Sequence, residues 1–168
     1  MGLLGQLLPP LAVQSLGESV KFQVKKADFK DAELIGPLFD AYRVFYKKES
    51  DIALATDFIA SRLKNNESTI YYAVTDNHEF IGFVQLYPTF SSLSAKRSWI
   101  LNDLYVNQHA RGLGVARQLM QAANKLALET NANGIALETA PDNESAQALY
   151  RSLGYKLESE YLHYFLSM

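Results

Sequence analysis

The sequence predicts an α/β domain: a mixed, mostly antiparallel central sheet of about seven strands with helices on both faces. Three observations predict it. Apolar residues recur with period two in some stretches and at spacings of three and four in others, in the order strand, two helices, three strands, helix, strand, helix, two strands. Two β-rich runs flank a short polar connection, the mark of a hairpin. Two glycines stand directly before the most regular helical stretch. The 168 residues suit a single domain that buries roughly 70% of the surface exposed by the unfolded chain.

Residues 1–19 are apolar and interrupted by Pro9-Pro10, and are read as an N-terminal extension; the domain is expected to span 20–168. The run VKFQV, residues 20–24, alternates apolar and polar as a half-buried strand does. Asp28 or Asp31 can cap a first helix reaching about Tyr46, with Leu34, Ile35, Leu38, Phe39, Tyr42 and Phe45 at helical spacing. Pro37 removes one helical hydrogen bond, so a kink or a late start is expected. A second helix follows from Asp51 to Lys64. The runs STIYYAVTD and FIGFVQLYP form the hairpin, with Asp76 and Asn77 turning the chain. TFSSLSAKR reads as a polar loop and SWILNDLYV as the next strand, ending at Val106. A helix from about Gly112 to Glu129 places Val115, Leu119, Ala123, Leu126 and Ala127 on one face. NGIALETA is a short strand, NESAQALYRSL a helix capped by Asn143 and stopped by Gly154, and YKLESEYLHYFLSM two closing strands.

Composition narrows the function classes. Sixteen basic residues against 18 acidic ones lack the cationic excess of a protein that binds nucleic acid or an anionic membrane surface. The absence of cysteine rules out disulfides, thiolate metal sites and a cysteine nucleophile, and a cytoplasmic location is expected. The three histidines match no familiar metal spacing, so no metal is expected. The apolar start lacks a basic leader and falls short of the roughly 20 residues that span a bilayer, so no membrane association is expected.

The stretch ARGLGVARQLM raises the functional question. The first turn of a helix carries amides without internal partners and about half a positive charge, which together bind an anion. Gly112 and Gly114 let an anion approach those amides without a Cβ in the way, and Arg111 can add a charge-assisted bond. The same glycines could merely make a tight turn. No Gly-Lys-Ser/Thr follows, which excludes a Walker loop, and no third glycine stands where a dinucleotide-binding loop needs it.

Three motifs in order resemble the GNAT superfamily of N-acetyltransferases over about Val20 to Met168. Arg111, Gly114 and Ala116 match its phosphate loop, with Gly112 between them. NDLYV is similar to its fourth strand, and DNESAQALYRSLGY to its segment with Asn143, Tyr150 and Gly154-Tyr155. The resemblance implies acetyl-CoA as co-substrate. Amides of Gly112, Leu113, Gly114, Val115, Ala116 and Arg117 would hold its diphosphate, Leu104, Tyr105 and Val106 would line its pantetheine arm, and Asn143 would add a contact. It also implies acetyl transfer to a primary amine of a small molecule, and commonly a homodimer.

Tyr150 is the candidate general acid, since a phenol with a pKa near 10 keeps its proton at neutral pH and lies close to a thiol's pKa of about 8.5. Without the resemblance it would read as a core aromatic. The base is open. The branch most similar around LYPTF and NDLYV, the polyamine acetyltransferases, usually carries Glu where Asn102 stands, and an amide cannot accept an ammonium proton. Glu138 could act through water or be a solvated charge, and Asn102 could position water or the acceptor. Asp103 lies on the opposite strand face from Asn102 and reads as structural. Tyr42 and Tyr46 are core aromatics or line the acceptor pocket. A silent acyl-CoA-binding module is the rival reading.

Overall fold

The computed structural model describes residues 20–168; the N-terminal extension read for residues 1–19 lies outside them. The order of elements is β1 (Phe22–Lys26), α1 (Ala32–Phe45), α2 (Ile52–Lys64), β2 (Thr69–Thr75), β3 (Phe80–Ser91), β4 (Lys96–Val106), α3 (Val115–Glu129), β5 (Ile135–Leu137) and α4 (Glu144–Ser152), with single 3-10 turns before α1 and after β4. This is the mixed α/β class expected from the sequence, as one sheet with helices on both faces.

The sheet runs β1-β2-β3-β4-β5. The first four strands are antiparallel neighbours, and β5 joins parallel to β4 after the α3 crossover. Among the described residues there are five strands rather than about seven. The correction lies in the tail: from Lys156 onward the chain pairs with no strand, and Tyr161, Leu162, Tyr164, Phe165 and Leu166 are exposed. Apolar content alone does not make a strand, which needs a ladder of backbone bonds to a neighbour, and the tail makes none.

Strand alternation divides the core between the two faces. Val84, Leu86, Leu101 and Val106 meet Val115, Leu119, Met120, Ala123 and Leu126 of α3, with Leu149, Tyr150 and Leu153 of α4 packed alongside. Phe83, Tyr72, Ile70 and Val74 meet Ile35, Leu38 and Phe39 of α1 and Ala55 and Ile59 of α2. A side chain such as Ile35, Ile59 or Phe83, fully buried here, contributes roughly 1.5–3 kcal/mol by leaving water.

Three boundaries differ from the sequence expectation for identifiable reasons. The polar loop after Pro88 is the end of a second hairpin, β3–β4, because Thr89 pairs with Ser98 and Ser91 with Lys96 on polar but extended backbone. α1 begins well before Pro37, led in by Asp28, whose side chain accepts from Lys30 N (2.7 Å) while Asp31 accepts from Asp28 N (2.9 Å). α3 begins at Val115 and not at Gly112, because Gly112 (φ 80°) and Gly114 (φ 82°) both adopt left-handed backbone that a right-handed helix cannot include.

Candidate active site

The site is built where β4 stops being covered. β5 pairs only with Trp99, Ile100 and Leu101, so from Asn102 to Val106 the β5-side edge of β4 has no strand against it. Leu104, Tyr105 and Val106, expected to line a pantetheine arm, are the residues of that open edge. The chain then makes one 3-10 turn, Gln108–Ala110, and enters the glycine pair.

A Cβ added at Gly112 or Gly114 would meet no atom within 4 Å, so the space over both residues is open. Among the described residues the amides of 112 to 117 take no hydrogen-bond partner; the first amide of α3 to do so is that of Gln118, which donates to Gly114 O (3.1 Å). A row of outward donors at a positive helix end fits a diphosphate, the test that the resemblance requires. Val115 and Ala116 turn their side chains into the core, so only their amides are available. Leu113 is exposed, and Arg117 ties the start of α3 to α4 by donating from Nη2 to Ser152 Oγ (2.8 Å).

Arg111 is placed differently from the expectation of a phosphate-facing side chain. Its Nε donates to Val106 O (3.1 Å), and its guanidinium carbon lies 5.8 Å from the centre of the Phe45 ring. With Tyr105, Phe45 and Ser50 it lines a cleft of about 660 Å³ between α1 and the end of β4.

Four phenols converge beside the open edge. Tyr42 lies 5.0 Å from Tyr46 and 6.4 Å from Tyr105, ring centre to ring centre. Tyr150, brought from the other side of the sheet by α4, is close enough to both Tyr42 and Tyr46 to couple electrostatically with them. Burial raises the Tyr150 phenol above its ordinary value, opposed by a hydrogen bond with Thr139. Burial raises Tyr42 further, joined by the negative charge of Asp103, toward which its hydroxyl is directed.

The remaining expected residues separate. Asn143 caps α4, its Oδ1 accepting from Ala146 N (3.2 Å), so the structural reading of this residue accounts for its oxygen. Asn102 is exposed and donates from Nδ2 to Asp103 Oδ1 (3.1 Å). Glu138 faces the tail: its side chain is 81% exposed, and its Oε1 lies 3.4 Å from His163 Nδ1. The structure does not bring it to the phenols.

One group that the sequence reading set aside is at the site. Asp103 is 4% exposed and lies on the α1 side of the sheet with Tyr42. Gln85 Nε2 donates to its Oδ2 (2.7 Å), and Ser68 Oγ donates to Gln85 Oε1 (2.8 Å). Burial raises the Asp103 carboxyl above the usual carboxylate value, while the bonds from Gln85, Tyr42 and Asn102 act in the opposite direction. The signal that could have found this chain is a lone polar residue inside each of two apolar runs, Gln85 in FVQLY and Asp103 in ILNDLYV, which must satisfy each other if both strands are buried.

Comparison with known proteins agrees with this geometry. The profile of the Acetyltransferase (GNAT) family matches residues 35–155. The chain is 45% identical over 145 residues to the Uncharacterized N-acetyltransferase YhfO of Bacillus subtilis (strain 168), covering 86% of this chain and 97% of that one. It is 34% identical over 132 residues to a Probable acetyltransferase of Haemophilus influenzae, covering 79% and 88%. A crystal structure of a probable acetyltransferase superposes with TM-score 0.82 at 42% identity, covering 87% of this chain and 97% of the other.

Proposed function

The chain belongs to the acetyltransferase (GNAT) family and is an acetyl-CoA-dependent N-acetyltransferase; from that premise we propose that its acceptor is a primary amine of a small molecule and that Tyr150 is the general acid. The observation that carries the reading is the convergence of Tyr150 from α4 with Tyr42 and Tyr46 from α1 beside the uncovered edge of β4.

Acetyl-CoA, when bound, supplies an acetyl group activated as a thioester. The chain's own residues do the rest. The amides of residues 112 to 117 hold the diphosphate, and the main chain of Leu104, Tyr105 and Val106 offers the pantetheine arm an extended edge to lie along. Asn143 keeps its side-chain nitrogen for a further contact. The cleft lined by Phe45, Ser50, Tyr105 and Arg111 admits the acceptor from the α1 side, and Tyr42 and Tyr46 pack against its lining residues Tyr105 and Phe45. Tyr150 Oη holds the proton that the departing sulfur requires, and its raised pKa keeps that proton in place at neutral pH. Asn102, an exposed amide, positions the acceptor or a water.

Magnitudes divide the work. Positioning two bound reactants contributes about 7–11 kcal/mol, and one well-placed acid about 10²- to 10⁴-fold in rate. The cleft and the phosphate loop therefore carry more of the rate than Tyr150 does. The assembly is proposed to be a cytoplasmic homodimer. The exposed apolar tail supports self-association, and no described helix is long and apolar enough to cross a membrane.

The test is thiol release from acetyl-CoA in the presence of a panel of small amines. Amine-dependent release supports the reading. Binding of acetyl-CoA with no release for any amine overturns it.

A further inference from the structure

Asp103 is the most buried carboxylate among the described residues, and the mechanism above gives it no part. Its position depends on an irregularity of β4. Gln85 pairs with Asp103, but the next residue of β3, Leu86, pairs with Leu101, so Asn102 is an extra residue, a β-bulge. Leu101 can therefore stay in the α3-side core while Asp103, two positions on, is delivered to the α1 side with Gln85 and Tyr42. A regular strand would have put Leu101 and Asp103 on one face.

Burying an ionised carboxylate costs several kcal/mol unless donors surround it. Here Gln85 and Asn102 are those donors, and the Tyr42 hydroxyl is directed toward the same carboxylate. The Gln85 amide has one orientation available, because the Ser68 hydroxyl donates to its oxygen and leaves its nitrogen for Asp103. An apolar residue at position 103 would need none of this. The arrangement leads from a buried carboxylate toward Tyr42, a half-buried residue whose ring stands among the phenols of the site.

An acceptor ammonium must lose a proton before its nitrogen can attack, and neither the amide of Asn102 nor the tail-facing Glu138 is placed to take it. We propose that Asp103 is the proton acceptor of the reaction, working through the Tyr42 hydroxyl, with Gln85 and Ser68 as positioning residues that fix its carboxylate. This rests on the acetyl-transfer reading. One N–H bond of the ammonium breaks and its electron pair stays on nitrogen. The proton bonds to Tyr42 Oη while the hydroxyl's own proton passes to an Asp103 oxygen. The amine is left neutral, Asp103 neutral and Tyr42 unchanged; the proton on Asp103 later returns to solvent. Once nitrogen has attacked, its second proton replaces the one that Tyr150 gives to sulfur.

The titratable groups that bear on Asp103 are Tyr42 from α1, with Tyr46 and Tyr150 beside it, and Tyr87 from β3, with Arg62 and Glu67 nearby. Burial and the Asp103 charge push the Tyr87 phenol up to about 12. These phenols keep their protons at neutral pH, so Asp103 is the member of the group that titrates on the acid side. Its raised value improves it as a base near neutrality.

The experiment compares the full-length protein with Asp103→Asn, Tyr42→Phe, the double variant and Gln85→Leu. Thiol release is measured with acetyl-CoA and each of ethanolamine, phenethylamine, spermidine and glycine, and acetyl-CoA affinity by calorimetry. Each of Asp103→Asn and Tyr42→Phe is expected to lose about 10²-fold or more in kcat with acetyl-CoA affinity unchanged, and the double variant to lose no more than the worse single one. Gln85→Leu removes a bond that favours the ionised carboxylate, so the acidic limb of kcat/KM moves to higher pH by about one unit or more. Wild-type turnover in Asp103→Asn, additive losses in the double variant, or an unmoved limb in Gln85→Leu each overturn the assignment. If Asp103→Asn does not fold, Tyr42→Phe and Gln85→Leu decide. A wild type silent with all four amines overturns the acetyl-transfer reading and this assignment with it. That outcome is distinct from an active wild type matched by Asp103→Asn.

Discussion

Tyr155 donates its hydroxyl to Asn124 Oδ1 at 2.9 Å, joining the residue that follows the α4 turn to the middle of α3. The bond fastens the helix that carries Tyr150 to the helix whose first turn offers the diphosphate donors. Tyr155→Phe keeps the ring and removes only the bond. The expected loss is about 1 kcal/mol in urea unfolding, with a fall in kcat larger than any change in acetyl-CoA affinity, because Tyr150 moves and the phosphate loop does not.

Gly114→Ala is expected to destabilise the fold by about 1–2 kcal/mol through its left-handed backbone alone, since the new Cβ meets no atom. The same Cβ would stand in the open space over the unpaired amides. Acetyl-CoA affinity measured by calorimetry should therefore fall by more than the stability loss explains, and Gly112→Ala should behave alike.

Tyr150→Phe should lower kcat by about 10²- to 10⁴-fold while leaving acetyl-CoA affinity nearly unchanged. A general acid works while protonated, and burial raises this phenol, so activity should persist as pH rises to the ordinary phenol value near 10 and decline only above it. A kcat profile falling well below that value would assign the acid to another group.

Asp40 is buried at the α1–α2 junction, where its carboxylate accepts from Ser50 Oγ (2.6 Å) and Asp51 N (2.8 Å) with Arg43 Nη1 at 3.4 Å. The Ser50 bond, then the Asp51 bond, outweigh burial and hold its pKa below 3.8. A lowered folded value means stability that is fully present above 3.8 and is lost as pH falls through the folded value. Asp40→Ala should cost about 2–3 kcal/mol at pH 7 by urea unfolding, and a smaller amount in acid at the lowest pH where the wild type remains folded.

The helices, the hairpin and the glycine loop were legible because each is written locally: spacings of three and four, a turn-forming Asp76-Asn77, and φ-permissive residues before an apolar run. The bulge was not, since a period-two pattern cannot say which of Leu101, Asn102 and Asp103 is the extra residue until β3 is laid beside it. On alternation alone Asp103 reads as structural, and Asn102 and Glu138 stand out as the polar groups of interest. The tail failed for the opposite reason. Its composition suits a strand, but pairing is a property of two segments, and among the described residues the tail lies along neither edge strand of the sheet.

The uncovered stretch of β4 between the last β5 pairing and the glycine turn is five residues long, Asn102 to Val106, and a strand of that length measures about 17 Å. It works as a ruler. A ligand arm laid along it from the glycine turn must be of comparable length to reach Asn102. Short activated acyl donors, acyl phosphates among them, can occupy either end of this ruler but cannot span it.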